Sequence, residues 1–207
     1  VDVADGEALA VALSRVRARY QRIVGVFHAA GLVRDAWLRD KSAADFAQVL
    51  APKIDGARHL HRLTQDDPLR YFVFFSSVSA LFGNVGQADY AAANGWLDAF
   101  AQLRRQHGLP GNSVAFSLLG ETGLGQDPRL QELAQRSGVR PMTTRTALHG
   151  LLHAISLDRA HAVVADLDLT RLSLSRVRSV EKPAAATGVS QQRLQRHIRE
   201  LLTQRIA

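Results

Sequence analysis

Tyr71-Phe-Val-Phe-Phe-Ser-Ser77 and, ten residues on, Gln87-Ala-Asp-Tyr90-Ala-Ala-Ala-Asn94 decide how this chain is read. The first is an unbroken apolar run closed by two serines, the pattern of a strand covered on both faces and therefore of a parallel sheet. The second opens a long alanine-rich helical run, Gln87 to His107, stopped at Gly108. Outward from this pair the alternation repeats. Upstream, Asp5 is placed to cap an amphipathic helix carrying Leu9, Val11, Leu13 and Val16, and Arg22 to Phe27 reads as a strand ending in His28-Ala-Ala-Gly31. A helical run from Ser42 to about Thr64, interrupted at Pro52, leads back to Tyr71. Downstream, Ser113 to Leu119 reads as a strand, Pro128 to Arg136 and Thr143 to Ile155 as helices, and Ala162 to Ala165 as a last strand. Val1-Asp-Val3 reads as the end of a strand whose start precedes the chain. The fold class is α/β, a doubly wound parallel sheet. Ligands of such sheets bind at the carboxyl ends of the strands, which makes His28 to Gly31, Ser76-Ser77 and Ser117 to Gly125 one rim.

Residues 1–180 read as one body, 181–190 as a linker, and 191–207 as the start of a downstream helical domain with Leu194, Ile198, Leu201, Leu202 and Ile206 on one stripe. With 207 residues, 46% hydrophobic and 22% charged, the chain can bury a core. It lacks the roughly 18 consecutive apolar residues of a membrane span, and it shows no signal-peptide pattern. The absence of cysteine removes disulfides, thiol nucleophiles and thiolate metal sites. A cytoplasmic protein without membrane contact is expected. The net charge of +7 invites a nucleic-acid reading, but residues 1–128 balance 13 basic against 13 acidic groups, and the excess is dispersed over the remainder as 13 against 6. No aromatic stacking platform accompanies it, so no nucleic-acid partner is expected. Only Lys41, Lys53 and Lys182 among the 26 basic residues are lysines, so a lysine at a functional position stands out.

Tyr90 and Asn94, four residues apart, share a helix face just after a serine that ends a buried strand. Ser and Tyr hydroxyls converging on a carbonyl oxygen stabilise a developing alkoxide, and a nearby lysine ammonium makes the phenol a better proton donor. Lys53, in Ala51-Pro-Lys53, is the available lysine. This is apparatus for reducing a ketone.

Taken together, Asp2-Val-Ala-Asp5, Val26-Phe-His-Ala-Ala-Gly31, Leu50-Ala-Pro-Lys53, Phe75-Ser-Ser77, Gly86-Gln-Ala-Asp-Tyr-Ala-Ala-Ala-Asn94 and Leu97-Asp98 resemble, in order and spacing, the ketoreductase domain of modular type I polyketide synthases. These are complex-type short-chain dehydrogenase/reductases. The resemblance runs over about Val1 to Leu172 and implies a Rossmann-like sheet and NADPH as cofactor. It makes Tyr90 the proton donor, has Ser77 orient the carbonyl and Lys53 lower the tyrosine pKa, and gives Asn94 the support of the proton relay. It places Asp2 and Val3 at the adenine and His28, Ala29, Ala30 and Gly31 along the cofactor. Asp35, Phe82 and Gln87 fall at the substrate and stereocontrol positions. Asp35 retains the final Asp of the family's Leu-Asp-Asp, and Phe82 stands where A-type members carry Trp, so B-type reduction to the D-alcohol is expected. Acyl carrier protein, which the 191–207 helix would begin, and other synthase domains are the implied partners.

Two departures accompany the resemblance. The first βαβ nucleotide-binding unit, with its Gly-rich turn, would precede Val1, so the chain reads as a C-terminal part that needs the N-terminal half and is inactive alone. Phe116 and Ser117 replace the family's Trp and Gly, which leaves a non-catalytic, structural ketoreductase-like module as the alternative. Gly120-Glu-Thr-Gly-Leu-Gly125 has GxxGxG rather than GxGxxG spacing and is read as the start of a lid, not a phosphate loop. His149 and His153 lack a third ligand, so no metal is expected. His59 and His61 are expected at the surface, Trp37 and Trp96 as packing residues, and Trp37 could edge the substrate entry.

Overall fold

The computed structural model describes residues 1–168 and 170–171. The 181–190 linker and the 191–207 helix expected from the sequence lie outside the described residues. In chain order the elements are α1 (Gly6–Tyr20), β1 (Gly25–His28), α2 (Ala43–Leu63), β2 (Tyr71–Ser77), α3 (Ser79–Phe82), α4 (Ala88–Gln106), β3 (Asn112–Phe116), α5 (Pro128–Arg136), β4 (Val139–Arg140), α6 (Thr144–Ser156), β5 (His161–Val164) and β6 (Asp166–Leu167).

Four strands form a wholly parallel sheet in the order β1-β2-β3-β5. The expected α/β, Rossmann-like architecture is therefore present. β2 lies between β1 and β3, with Val26 opposite Phe72 and Ser77 opposite Phe116. Its side chains alternate between two cores. Phe72 and Phe74 join Leu9, Val26, Ala57, Leu60, Leu97 and Phe100 beneath α1, α2 and α4, whereas Val73 joins Val114, Phe116, Met142, Ala147 and Leu151 beneath α6. Each fully buried phenylalanine contributes about 1.5–3 kcal/mol. Double burial is why the strand reads as an unbroken apolar run.

The helix starts obey local chemistry. Asp5 accepts the N–H groups of Glu7 and Ala8 at the head of α1, and Ser42 with Asp45 closes a capping box on α2. Thr143 caps α6 in the same way. α4 ends before Gly108, which takes a left-handed conformation.

Several expectations are corrected. α2 runs through Pro52 without interruption, because the missing N–H forfeits one hydrogen bond while Val49, Lys53, Ala57 and Leu60 bury its inner face. Val1 to Val3 form no strand; Asp2 instead sits in a turn, its Oδ1 accepting the Ala4 N–H at 2.9 Å. His59 and His61 are half-buried rather than superficial. His59 Nδ1 lies 3.2 Å from the Val3 carbonyl, and His61 packs edge-on against Phe100 beside the Arg104 guanidinium. Trp96 stacks on Phe100 as a packing residue, but Trp37 is exposed with Arg39 over its ring. The antiparallel pair β4–β6, two residues per strand, is too short to carry a periodic signal.

Among the described residues no helix is long and apolar enough to cross a membrane. β1 is the sheet's edge strand on that side, and Phe27 on it is 53% exposed.

Helix-to-sheet spacing yields opposite outcomes for one substitution. A Cβ on Gly150 of α6 would lie 2.3 Å from Val164 Cγ1, whereas one on Gly95 of α4 meets nothing within 4 Å. Gly150→Ala is expected to destabilise by about 1–3 kcal/mol. Gly95→Ala is expected to stabilise by about 0.5–1 kcal/mol, and urea midpoints of the two variants check both signs.

Candidate active site

The parallel register sets the carboxyl ends of β1, β2 and β3 on one rim. Val78 N–H donates to the Phe116 carbonyl at 3.0 Å just beyond β2, and Ser117 N–H to the Val164 carbonyl at 3.1 Å. At this rim the structure brings together Lys53 from the middle of α2, Ser77 from the end of β2, and Tyr90 and Asn94 from the first turns of α4.

Lys53 is buried. Its Nζ donates to the Phe75 carbonyl at 3.0 Å and stands 5.4 Å from the centre of the Tyr90 ring. Burial lowers its pKa from 10.5 to about 8, with the Asp98 carboxylate opposing the shift. A Cβ on Gly31 would come within 3.1 Å of Lys53 Cε, so the turn after β1 passes the lysine stem at a distance only glycine permits comfortably. Asn94 is fully buried, its Nδ2 donating to the Tyr90 carbonyl at 2.7 Å and leaving Oδ1 as a buried acceptor without a partner among the described residues. Ser77 Oγ accepts the Ser79 N–H at 3.2 Å, which leaves its own proton free to donate.

Burial pushes the Tyr90 phenol above its ordinary pKa; hydrogen bonding with Asn94 and Ser77 opposes the rise, and the Asp35 charge adds to it. The phenol is protonated at neutral pH, the form a proton donor requires.

Asp35 and Gln87 meet directly: Gln87 Nε2 donates to both carboxylate oxygens at 3.0 and 3.2 Å, while Asn84 Nδ2 donates to Gln87 Oε1 at 2.9 Å. Phe82 at the end of α3 is exposed. A cleft of about 500 Å³ is lined by Asp2, Val3, Ala30, Gly31, Ala51 and Pro52 among others. Four expected cofactor residues therefore share one surface. Ala29 is exposed nearby, but His28 is not in the lining. Its imidazole is buried edge-on to Phe74, with Nε2 3.2 Å from the Lys53 carbonyl, and burial lowers its pKa to about 4.

The Gly120–Gly125 loop is tied to itself. Gln131 Nε2 donates to the carbonyls of both glycines, at 3.0 and 2.7 Å, and Gly125 N–H donates to the Thr122 carbonyl. Phe116 stacks on Phe75 with ring centres 5.3 Å apart, and Ser117 Oγ is buried without a partner among the described residues. His149 and His153 are exposed on α6, and no cluster of three metal-ligating side chains occurs among the described residues. Sequence reasoning assigned no role to Lys41 and Asp89, which form a buried ion pair against the start of α4. The scarcity of lysine was the one signal available for the former.

The buried lysine predicts a pH effect on stability. Between pH 8 and 10.5 the unfolded chain holds the Lys53 proton and the folded chain does not, so stability rises with pH across that window. Relative to Lys53→Met, the native chain is expected to gain up to about 3 kcal/mol there, read from urea midpoints at each pH.

Comparison with known proteins shows the family. The KR domain family matches residues 1–121. Polyketide synthase GfsB of Streptomyces halstedii is 41% identical over 172 residues, covering 81% of this chain and 3% of that protein. Polyketide synthase PksN of Bacillus subtilis (strain 168) is 30% identical over 226 residues, covering 100% of this chain and 4% of its own length. A solved A-type ketoreductase from a modular polyketide synthase superposes with a TM-score of 0.80 at 35% identity, covering 94% of this chain and 41% of that one. The chain thus spans only a small fraction of these curated relatives and less than half of that solved ketoreductase. A parallel sheet with lysine, serine, tyrosine and asparagine gathered at its carboxyl rim, matched over more than half its length by one family, makes this chain a member of the KR domain family, part of a polyketide synthase ketoreductase domain.

Proposed function

We propose that this chain is the C-terminal, catalytic part of an NADPH-dependent ketoreductase domain that reduces the β-keto group of a polyketide intermediate held on an acyl carrier protein, in the cytoplasm. The observation that carries the reading is the convergence of Lys53, Ser77, Tyr90 and Asn94 at the carboxyl end of β2.

The residues present fit one end of the cofactor. The cleft wall of Val3, Ala30, Ala51 and Pro52 is apolar, with the Asp2 carboxylate among its lining residues, a surface suited to an adenine ring. No Gly-rich strand-to-helix turn for the pyrophosphate occurs among the described residues, and the N-terminal half of the domain would provide it along the free edge of β1. When bound, NADPH supplies the hydride that the keto carbon takes up.

The chain's own contribution lies at the carbonyl oxygen. Ser77 Oγ and Tyr90 Oη donate hydrogen bonds to it, and Tyr90 gives up its proton as negative charge develops there. The Lys53 ammonium, 5.4 Å from the ring centre, stabilises the phenolate left behind. The unpaired Asn94 Oδ1 is a place for a water that returns the proton. B-type stereochemistry, giving the D-alcohol, is supported by Asp35 and by phenylalanine rather than tryptophan at position 82. Residues 181–190, as a linker, and 191–207, as the start of a downstream carrier protein, complete the reading.

Tyr90→Phe in the polypeptide carrying this chain, assayed with NADPH and a β-ketoacyl thioester, is expected to lower kcat by about 10²–10⁴-fold. Unchanged reduction would instead favour the non-catalytic module to which Phe116 and Ser117 point. Chiral analysis of the product checks the second half of the reading: the D-3-hydroxy product is expected, and the L-alcohol overturns the B-type assignment.

A further inference from the structure

The segment between β1 and α2 carries Asp35, and the segment entering α4 carries Gln87 and Tyr90. What holds one against the other is a buried ion pair. Lys41 Nζ and Asp89 Oδ2 are 2.6 Å apart, and each side chain is 1% exposed. Both groups have second partners that define what the pair connects. Lys41 also donates to the Arg34 carbonyl, the peptide that leads into Asp35. Asp89 Oδ1 accepts the N–H of Tyr90 at 2.9 Å. One ammonium–carboxylate contact thus joins the Arg34–Asp35 peptide to the backbone of Tyr90.

Two weaker stitches lie beside it. Ala36 N–H donates to the Gly86 carbonyl at 3.1 Å, where Gly86 has a φ of +81° and a Cβ would stand 3.5 Å from Ala36 backbone atoms. Gln87 holds the Asp35 carboxylate. Asp35 itself is exposed, so its position depends on these ties rather than on packing.

A buried ion pair is weak evidence for stability, because desolvating two charges costs several kcal/mol and apolar residues of similar volume can fill the same space. Its advantage over an apolar pair is direction: it accepts one geometry of the two segments.

Resting on the ketoreductase reading above, we propose that Lys41, through Asp89, is a positioning residue that fixes where the Asp35 carboxylate stands relative to the Tyr90 phenol, and thereby the orientation in which the keto substrate is held. Neither side chain touches the reacting atoms. Loss of the pair is expected to move substrate affinity and product stereochemistry while the proton-transfer machinery of Ser77, Tyr90, Asn94 and Lys53 stays in place.

The test compares the native polypeptide with Lys41→Met and with Lys41→Met/Asp89→Leu. Lys41→Met strands a buried carboxylate and can fail to fold; the double variant replaces the pair by an apolar contact and keeps the fold testable. The expected result for the folded double variant is a KM for the β-ketoacyl thioester raised about ten- to a hundredfold, a much smaller change in kcat, and a product enriched in the minor alcohol isomer. Faster amide hydrogen exchange at Ala36 accompanies it. A folded double variant with native KM and native isomer ratio overturns the proposal. Should the native polypeptide reduce no keto thioester with NADPH, the ketoreductase reading fails separately. Exchange at Ala36 then decides the clamp: native protection in the double variant overturns it, and lost protection supports it.

Discussion

β2 has neither a free face nor a free edge. It is paired in parallel with β1 and β3, and its side chains are shared between two cores, Phe72 and Phe74 beneath α2 and α4 and Val73 beneath α6. A one-residue slip would exchange the contents of the two cores, so the register is strongly specified. That register places Ser77 at the sheet's carboxyl rim and the Phe75 carbonyl where the Lys53 ammonium donates. The reactive group is therefore a consequence of how the central strand is sealed.

The candidate site carries groups that cost stability. Lys53 is held charged in a buried place with one carbonyl as its hydrogen-bond acceptor, and Asn94 keeps a buried oxygen without a partner among the described residues. Each is unfavourable for folding taken alone. They persist because α2 and α4 are fixed by apolar contacts outside the site: Ala57 and Leu60 on α2, and Leu97 and Phe100 on α4, pack into the core that holds Phe72 and Phe74. His28 adds a polar tie between β1 and α2, since its ring reaches the Lys53 carbonyl. A residue expected along the cofactor thus also helps to hold the helix that carries the lysine.

The segment that carries Asp35 is built differently. The segment of residues 29–41 has little regular structure and a mostly exposed surface, so polar contacts set its path. The Lys41–Asp89 pair, the Asp35–Gln87 hydrogen bonds and the Ala36–Gly86 backbone contact are made to one short stretch before and at the first turn of α4. This gives the loop a defined position without a core beneath it.

Much of this was legible in the residues. The apolar run at 71–77 reads as a strand because burial on both faces leaves no room for alternation, and Asp5 marks a helix start because its side chain caps free N–H groups. Tyr90 and Asn94 could be placed on one helix face from spacing alone, and the order of the motifs carried the family. Local signals failed where a neighbour distant in sequence had the last word. Pro52 reads as a break, yet α2 continues because its inner face is buried. Lys41 reads as one more charge, yet it is buried because Asp89, 48 residues away, pairs with it. Element types, the parallel sheet and the choice of candidate side chains are written in the chain order, since they follow from periodicity, capping and residue chemistry. Which groups are buried, which are left unpaired and which loop is tied to which helix emerge in three dimensions, because those energies depend on distances between residues that the chain order does not contain.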